Sequence, residues 1–181
     1  MRAGQLRHRV TLLGSRTGHP PSWPPLREVW AEFVEPKSAG REEQAGIRAP
    51  SSTLVRMRPR DELAAGQIIR RRDGVLFIIE SLDPARSMVE IAARRLQGVS
   101  AEYEPLSGEA YPIQAWLHRQ NVFIGQANEA RNVVEVLQPE LRWPWPEPGD
   151  RIHIAGLALE IEGIVEGSDD GISVQLFTIP R

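Results

Sequence analysis

The sequence contains no cysteine. That absence excludes disulfides, thiolate zinc sites and a cysteine nucleophile together, and it fits a reducing compartment. Lysine is almost missing as well: Lys37 stands alone, and arginine supplies the rest of the 22 basic residues, set against 24 acidic ones. The net charge of −2 argues against a dedicated nucleic-acid binder, whose affinity comes from clustered basic residues neutralising phosphates. It suits a chain whose partners are proteins. No apolar run approaches the ~18–20 residues that span a bilayer, and the opening MRAGQLRHRV has no apolar signal core. Neither a membrane partner nor export is expected.

Chemistry-bearing patterns are scarce. The four histidines, His8, His19, His118 and His153, are scattered, and none has the i, i+4 or short-loop spacing that metal ligation uses. Asp169-Asp170 sits between glycines but lacks the alternating acidic ligands and closing Glu of a calcium loop, so a hairpin turn is expected there. No glycine-rich loop precedes a helix to cradle a phosphate, and no nucleophile elbow is present. A serine-histidine-acid triad stays open, because its members can lie anywhere in a sequence. The expectation is a protein that is not an enzyme and holds neither metal nor cofactor.

What is present is a repeated β-hairpin. Residues 66–82 read GQIIRRRDGVLFIIESL and residues 149–164 read GDRIHIAGLALEIEGI. In each, a glycine opens an apolar-alternating run, a second glycine turns the chain, and a further run ends on an Ile-Glu rung. The turn glycines, Gly74 and Gly156, are 82 residues apart, and a glycine after Asp or Ala between two β-type runs signals a tight turn with positive φ. Two such hairpins nearly half a chain apart predict two small β-barrel or sandwich domains in tandem, an all-β fold with a short helix and long proline-rich loops. Two ordinary hairpins alike by chance would give the same pattern.

Taken in order, residues 6–13 alternate Leu6, His8, Val10 and Leu12 with Arg7, Arg9 and Thr11, the signature of a half-buried strand. Residues 14–26 carry Pro20, Pro21, Pro24 and Pro25, which lack a backbone donor, so this stretch is expected to be an exposed loop outside any ladder. Residues 28–36 form a strand with Val29, Ala31 and Phe33 on one face. Ser38 caps a short helix through Arg41, Glu42, Glu43 and Gln44. Pro50, Ser51 and Ser52 are read as a break before a strand over 53–58, and another strand covers 87–94. Residues 97–100 read as a polar joint and 101–108 as aperiodic, which places the boundary between domains 1–97 and 98–181. Strands over 113–118, 128–138 and 172–179 complete the second half.

Two segments stand out as partner-facing. His19, Pro20, Pro21, Trp23, Pro24 and Pro25 lie in the first proline-rich stretch, and Trp143 and Trp145 in LRWPWPEPG. Tryptophan is an enriched anchor at protein interfaces, and a loop folded back over a core would explain the same residues equally well. Arg70-Arg71-Arg72 is the densest basic cluster. With no aromatic interleaved for base stacking, it reads as a solvated strand end ahead of a nucleic-acid contact.

The opening MRAGQLRHRV, the VWAE strand at 29–32, the SAGRE turn at 38–42, and the arginine-rich strand leading into DGVLFIIES at 73–81 resemble the tailed-bacteriophage head–tail joining proteins, the head-closure or stopper family. The resemblance covers residues 1–96 in the family's order of motifs. The segment PGDRI at 148–152, running on to Leu176, is similar to a second family of small phage head–tail joining barrels. The resemblance implies a structural virion protein of the neck, assembled in the host bacterial cytoplasm. It would form a homo-oligomeric ring of six or twelve copies that closes the portal channel after DNA packaging. Its implied partners are a portal or adaptor protein on the head side, a tail terminator or tail tube protein on the tail side, and packaged DNA touched without sequence specificity. A small nucleic-acid-binding β-barrel is the alternative reading.

Overall fold

The computed structural model describes residues 6–34, 46–84, 87–124 and 127–181, with no side chains described from 122 to 129. The chain divides into two compact units, Met1–Gln97 and Gly98–Arg181. The first contains β1 (His8–Leu13), β2 (Pro25–Val34), β3 (Arg48–Met57), β4 (Ile68–Arg71), β5 (Leu76–Pro84) and β6 (Val89–Leu96). They close into an antiparallel barrel in the order β1-β2-β3-β6-β5-β4, with β4 pairing back onto β1. The second unit contains β7 (Val99–Glu104), β8 (Tyr111–Ile124), β9 (Ala127–Leu137), β10 (Arg151–Ile154), β11 (Leu157–Ile164) and β12 (Ser173–Pro180). It closes in the matching order β7-β8-β9-β12-β11-β10. Each strand of the first barrel therefore has a counterpart six strands later.

The hairpin repeat extends below the level of topology. Gly66 donates to the Ile79 carbonyl at 2.8 Å and Ile79 to that of Gln67 at 2.9 Å; Gly149 donates to Ile161 and Ile161 to Asp150, both at 2.8 Å. Gly66 and Gly149 have φ of 84° and 98°, a region closed to most side chains. In β5 the register to β6 shifts between Ile79 and Ser81, and in β11 the register to β12 shifts between Ile161 and Gly163. The bulges thus fall 82 residues apart and leave Glu80 and Glu162 at equivalent rungs. Only the turns differ. Ala155 and Gly156, with φ of 51° and 79°, make a two-residue turn in which both positions have positive φ, whereas Arg72, Asp73 and Gly74 form a loop one residue longer.

Alternation explains each core. Val10, Leu12, Val29, Ala31, Val55, Met57, Ile69, Phe77, Ile79, Ile91 and Ala93 point into the first barrel and are buried. Tyr103, Ile113, Val134, Val136, Ile152, Leu159, Ile161 and Leu176 do the same in the second. Burial of each large apolar side chain contributes about 1.5–3 kcal/mol, and closure leaves neither sheet with an open edge.

Three expectations needed correction. Residues 14–26 are not outside the ladder: β2 begins at Pro25, which pairs with Leu13, and the Gly14 N–H donates to the Pro24 carbonyl at 2.8 Å. Proline lacks only the donor, so Pro24 can accept through its carbonyl and Pro25 can start the strand where no N–H is required. Pro50, Ser51 and Ser52 do not break the chain, because β3 runs through them with a register shift between Arg48 and Ser52 that absorbs the proline. The stretch called aperiodic contains β7, in which Ala101 and Tyr103 are buried while Ser100 and Glu102 face out. Small Ala101 and the polar tip of Tyr103 hid an ordinary alternation. The expected helix at 38–44 lies outside the described residues.

Candidate functional site

The first proline-rich stretch is an ordered hairpin extension. Beyond the Gly14–Pro24 bond, Thr17 and Ser22 exchange two backbone hydrogen bonds at 2.9 Å each. They close a tip of four residues, Gly18 to Pro21, in which Gly18 takes φ of 74° and the His19–Pro20 bond is cis. His19, Pro20, Pro24 and Pro25 are exposed, whereas Pro21 and Trp23 are half-buried. Prolines restrict φ already in the unfolded chain, so holding this tip in one conformation costs little entropy.

The second segment follows β9 and a single 3-10 turn, Gln138–Glu140, and is anchored on both sides of Trp143. Leu141 packs against the barrel core. The Arg142 N–H donates to the Tyr111 hydroxyl at 3.0 Å, and the Arg142 guanidinium lies 4.5 Å from the centre of the Tyr111 ring. Trp145 packs against the core and Pro146 is buried. Trp143 between them is 56% exposed, and its bond to Pro144 is cis. Of the two tryptophans, one secures the segment and the other is displayed.

Behind the segment lies Asp150, only 4% exposed. Its carboxylate accepts from the Leu106 N–H at 2.8 Å, from the Glu147 N–H at 2.9 Å and from the Tyr103 hydroxyl. Burial, then the hydrogen bond to Asp150, pushes the Tyr103 hydroxyl far above its ordinary pKa, so it remains a donor. Burial likewise raises Tyr111. Gln67 holds the equivalent place in the first barrel, where its side chain accepts from the Ala64 N–H at 3.0 Å and donates to the Glu62 carbonyl at 2.8 Å. Both polar groups are consumed in fastening the turn before the hairpin.

The remaining polar candidates are also absorbed locally. Asp170 accepts from Ile172 and Ser173 N–H at 2.9 and 2.7 Å, and Asp169 from Gly171 at 2.9 Å, as befits a turn. His153 contacts Glu104 at 2.8 Å, and His8 packs edge-on against Phe33. Among the described residues there is no group of three or more His, Asp or Glu placed to hold a metal ion.

A family model described as phage head completion protein matches residues 1–96, the whole of the first barrel. The chain belongs to that family. As a phage head completion protein it is a structural component of the virion, and the head–tail joining resemblance read from residues 1–96 agrees with this membership. Comparison with curated proteins and with solved structures found no match. The second barrel lies beyond the matched residues, and the equivalence of its hairpin, bulge and strand order to the first is structural.

One cluster escaped the sequence reading. The sequence has no aromatic interleaved with Arg70-Arg71-Arg72, yet Trp30 on the outer face of β2 lies beside it, opposite Arg9 in register. Alternation in VWAEF, with Val29, Ala31 and Phe33 facing in, was the signal that Trp30 faces out. The net charge of −2 concealed a second fact. Residues 1–97 carry 17 basic and 11 acidic residues and residues 98–181 carry five and 13, giving +6 and −8.

Proposed function

We propose that this head completion protein forms a homo-oligomeric ring in the neck of a tailed phage, where it closes the portal channel after packaging and offers the surface to which the tail attaches. The family match over the entire first barrel carries the reading. Two pre-shaped displays support it, the 14–24 hairpin extension and the anchored Trp143 segment, because docking loops held rigid before binding lose less entropy on association. In this reading the hairpin tip around His19, Pro20 and Pro21 engages the portal or adaptor side or a neighbouring copy. Trp143 provides a hydrophobic anchor for a tail-side protein. Packaged DNA is met without sequence specificity.

The test replaces residues 18–21 by an Asn-Gly turn, which preserves the Thr17–Ser22 pair and the barrel beneath it. Phage assembled with this variant should package DNA but yield heads that leak it or carry no tail. Tailed, infectious particles at wild-type yield would refute the role assigned to the hairpin.

A further inference from the structure

Trp30 is 56% exposed in the middle of a strand, and tryptophan is enriched as an anchor at protein interfaces. It lines two adjoining clefts: one is completed by Leu6, Arg58 and Arg60, the other by Arg7, Arg9, Arg71 and Arg72 among others. Arg9 pairs with Glu28, and Arg71 pairs with Asp73 at 2.7 Å. Arg58, Arg60, Arg70 and Arg72 make no ion pair with any described residue. Elsewhere on the same barrel the charges are matched: Arg56 lies between Glu32 and Glu90 at 3.7 and 2.7 Å, and Arg94 meets Glu80 at 2.7 Å. Three arginines without an ion pair among the described residues, Arg58, Arg60 and Arg72, thus line the clefts beside one exposed aromatic, with Arg70 on the neighbouring strand.

The second unit shows the reverse imbalance. Arg131, Arg151 and Arg181 are taken up by Glu162, Glu104 and Glu160, and Arg142 stacks on Tyr111. Glu102, Glu109, Glu147 and Glu166 are exposed and have no basic partner among the described residues. Each chain thus carries a +6 unit with an arginine-ringed tryptophan and a −8 unit with surplus carboxylates.

We propose that the Trp30–arginine patch of one copy receives the acidic second unit of another copy. Such a contact is heterologous, joining different surfaces of identical chains, and repeats until it closes into a ring. Trp30 supplies the desolvated anchor, and the surrounding charges supply steering and partner choice. Nucleic acid is the poorer occupant. The −8 unit on every chain repels phosphate, and a single tryptophan does not make the series of stacking platforms that single strands use. The proposal rests on exposed Trp30 and the charges placed around it, and holds wherever in the virion the chain sits.

The test is sedimentation velocity of the full-length chain at low and at about 0.5 M salt, where screening shortens to a few ångströms. Two charge-reversed forms are compared, Arg58→Glu/Arg70→Glu/Arg72→Glu and Glu102→Arg/Glu166→Arg. All five sites are at the surface, outside both cores. Wild type should assemble at low salt and weaken about tenfold or more at high salt, each variant should remain monomeric, and mixing the two should restore assembly. Restoration also proves that both variants are folded. The proposal is overturned if wild type is monomeric, if either variant assembles like wild type, if mixing restores nothing, or if mixed-sequence duplex DNA is held by the patch while self-association is indifferent to it. No virion assay is involved, so failure here leaves the neck role standing, and failure of tail joining leaves this contact standing.

Discussion

Removing the carboxylate of Asp150 should loosen the second barrel at one identifiable corner. In Asp150→Ala three donors lose their acceptor: the Tyr103 hydroxyl and the N–H groups of Leu106 and Glu147. Tyr103 is 2% exposed, so its hydroxyl suffers the full penalty of a buried unsatisfied donor, about 1–3 kcal/mol. Leu106 and Glu147 lie at the surface, and water can recover part of their loss, leaving roughly 0.5 kcal/mol each. The total is about 3 kcal/mol. Tyr103→Phe removes one donor and leaves Asp150 two backbone partners, so it should cost nearer 1 kcal/mol. The double variant should cost less than the two single costs combined, because without the hydroxyl no buried donor is orphaned and only the two surface N–H groups lose their acceptor. Hydrogen exchange resolved by peptide, together with denaturant unfolding, gives the assay: protection should fall in peptides covering 101–106 and 145–152. If Asp150→Ala costs under about 1 kcal/mol, or if Tyr103→Phe costs as much as Asp150→Ala, the fastening role assigned to this carboxylate is wrong.

Gly98→Ala should destabilise the second barrel by about 3 kcal/mol in chemical unfolding, because a Cβ there would meet the Ala115 backbone at 2.5–2.9 Å and backbone does not yield cheaply. Trp145→Ala should cost about 2 kcal/mol, since it truncates a side chain packed on the core, whereas Trp143→Ala should unfold within about 0.5 kcal/mol of wild type. Equal costs for the two would contradict the division between anchor and display. Burial alone would raise the Glu80 carboxyl, but the Ser52 hydroxyl and the Arg94 guanidinium outweigh it and hold the group below its ordinary 4.5. A depressed carboxyl stabilises above its unfolded pKa and loses that contribution as pH falls through the folded value. Glu80→Gln should therefore have a lower denaturant midpoint than wild type at pH 7, and the gap should narrow as pH falls from neutral through the acidic range in which the carboxyl takes up its proton; a gap that does not change with pH refutes the pairing.

The two barrels were legible because their hairpins obey short-range rules. Gly74 and Gly156 mark turns by chemistry, and Val75 to Glu80 and Leu157 to Glu162 alternate without interruption. What stayed hidden depended on neighbours distant in sequence. Pro24 and Pro25 look incompatible with a ladder until one sees that the Pro24 carbonyl accepts from Gly14 and that Pro25 opens the strand opposite Leu13. Pro50 is tolerated because a bulge opposite β6 takes up the mismatch. Of the candidate interface residues, Trp143 and Trp145 are indistinguishable in LRWPWPEPG, and only the latch of Arg142 on Tyr111 and the core beneath Trp145 separate display from anchor. The Trp30 patch needed the pairing of β1 with both β2 and β4, which brings arginines from three parts of the chain to one tryptophan.

The central claim is a ring seated on the neck of the head. Native mass measurement of the assembled portal ring, alone and after mixing with this 20.3 kDa chain, tests it most directly. The account predicts a gain in mass equal to a closed set of six or twelve chains. A portal whose mass is unchanged, or that takes up scattered single copies, would contradict it.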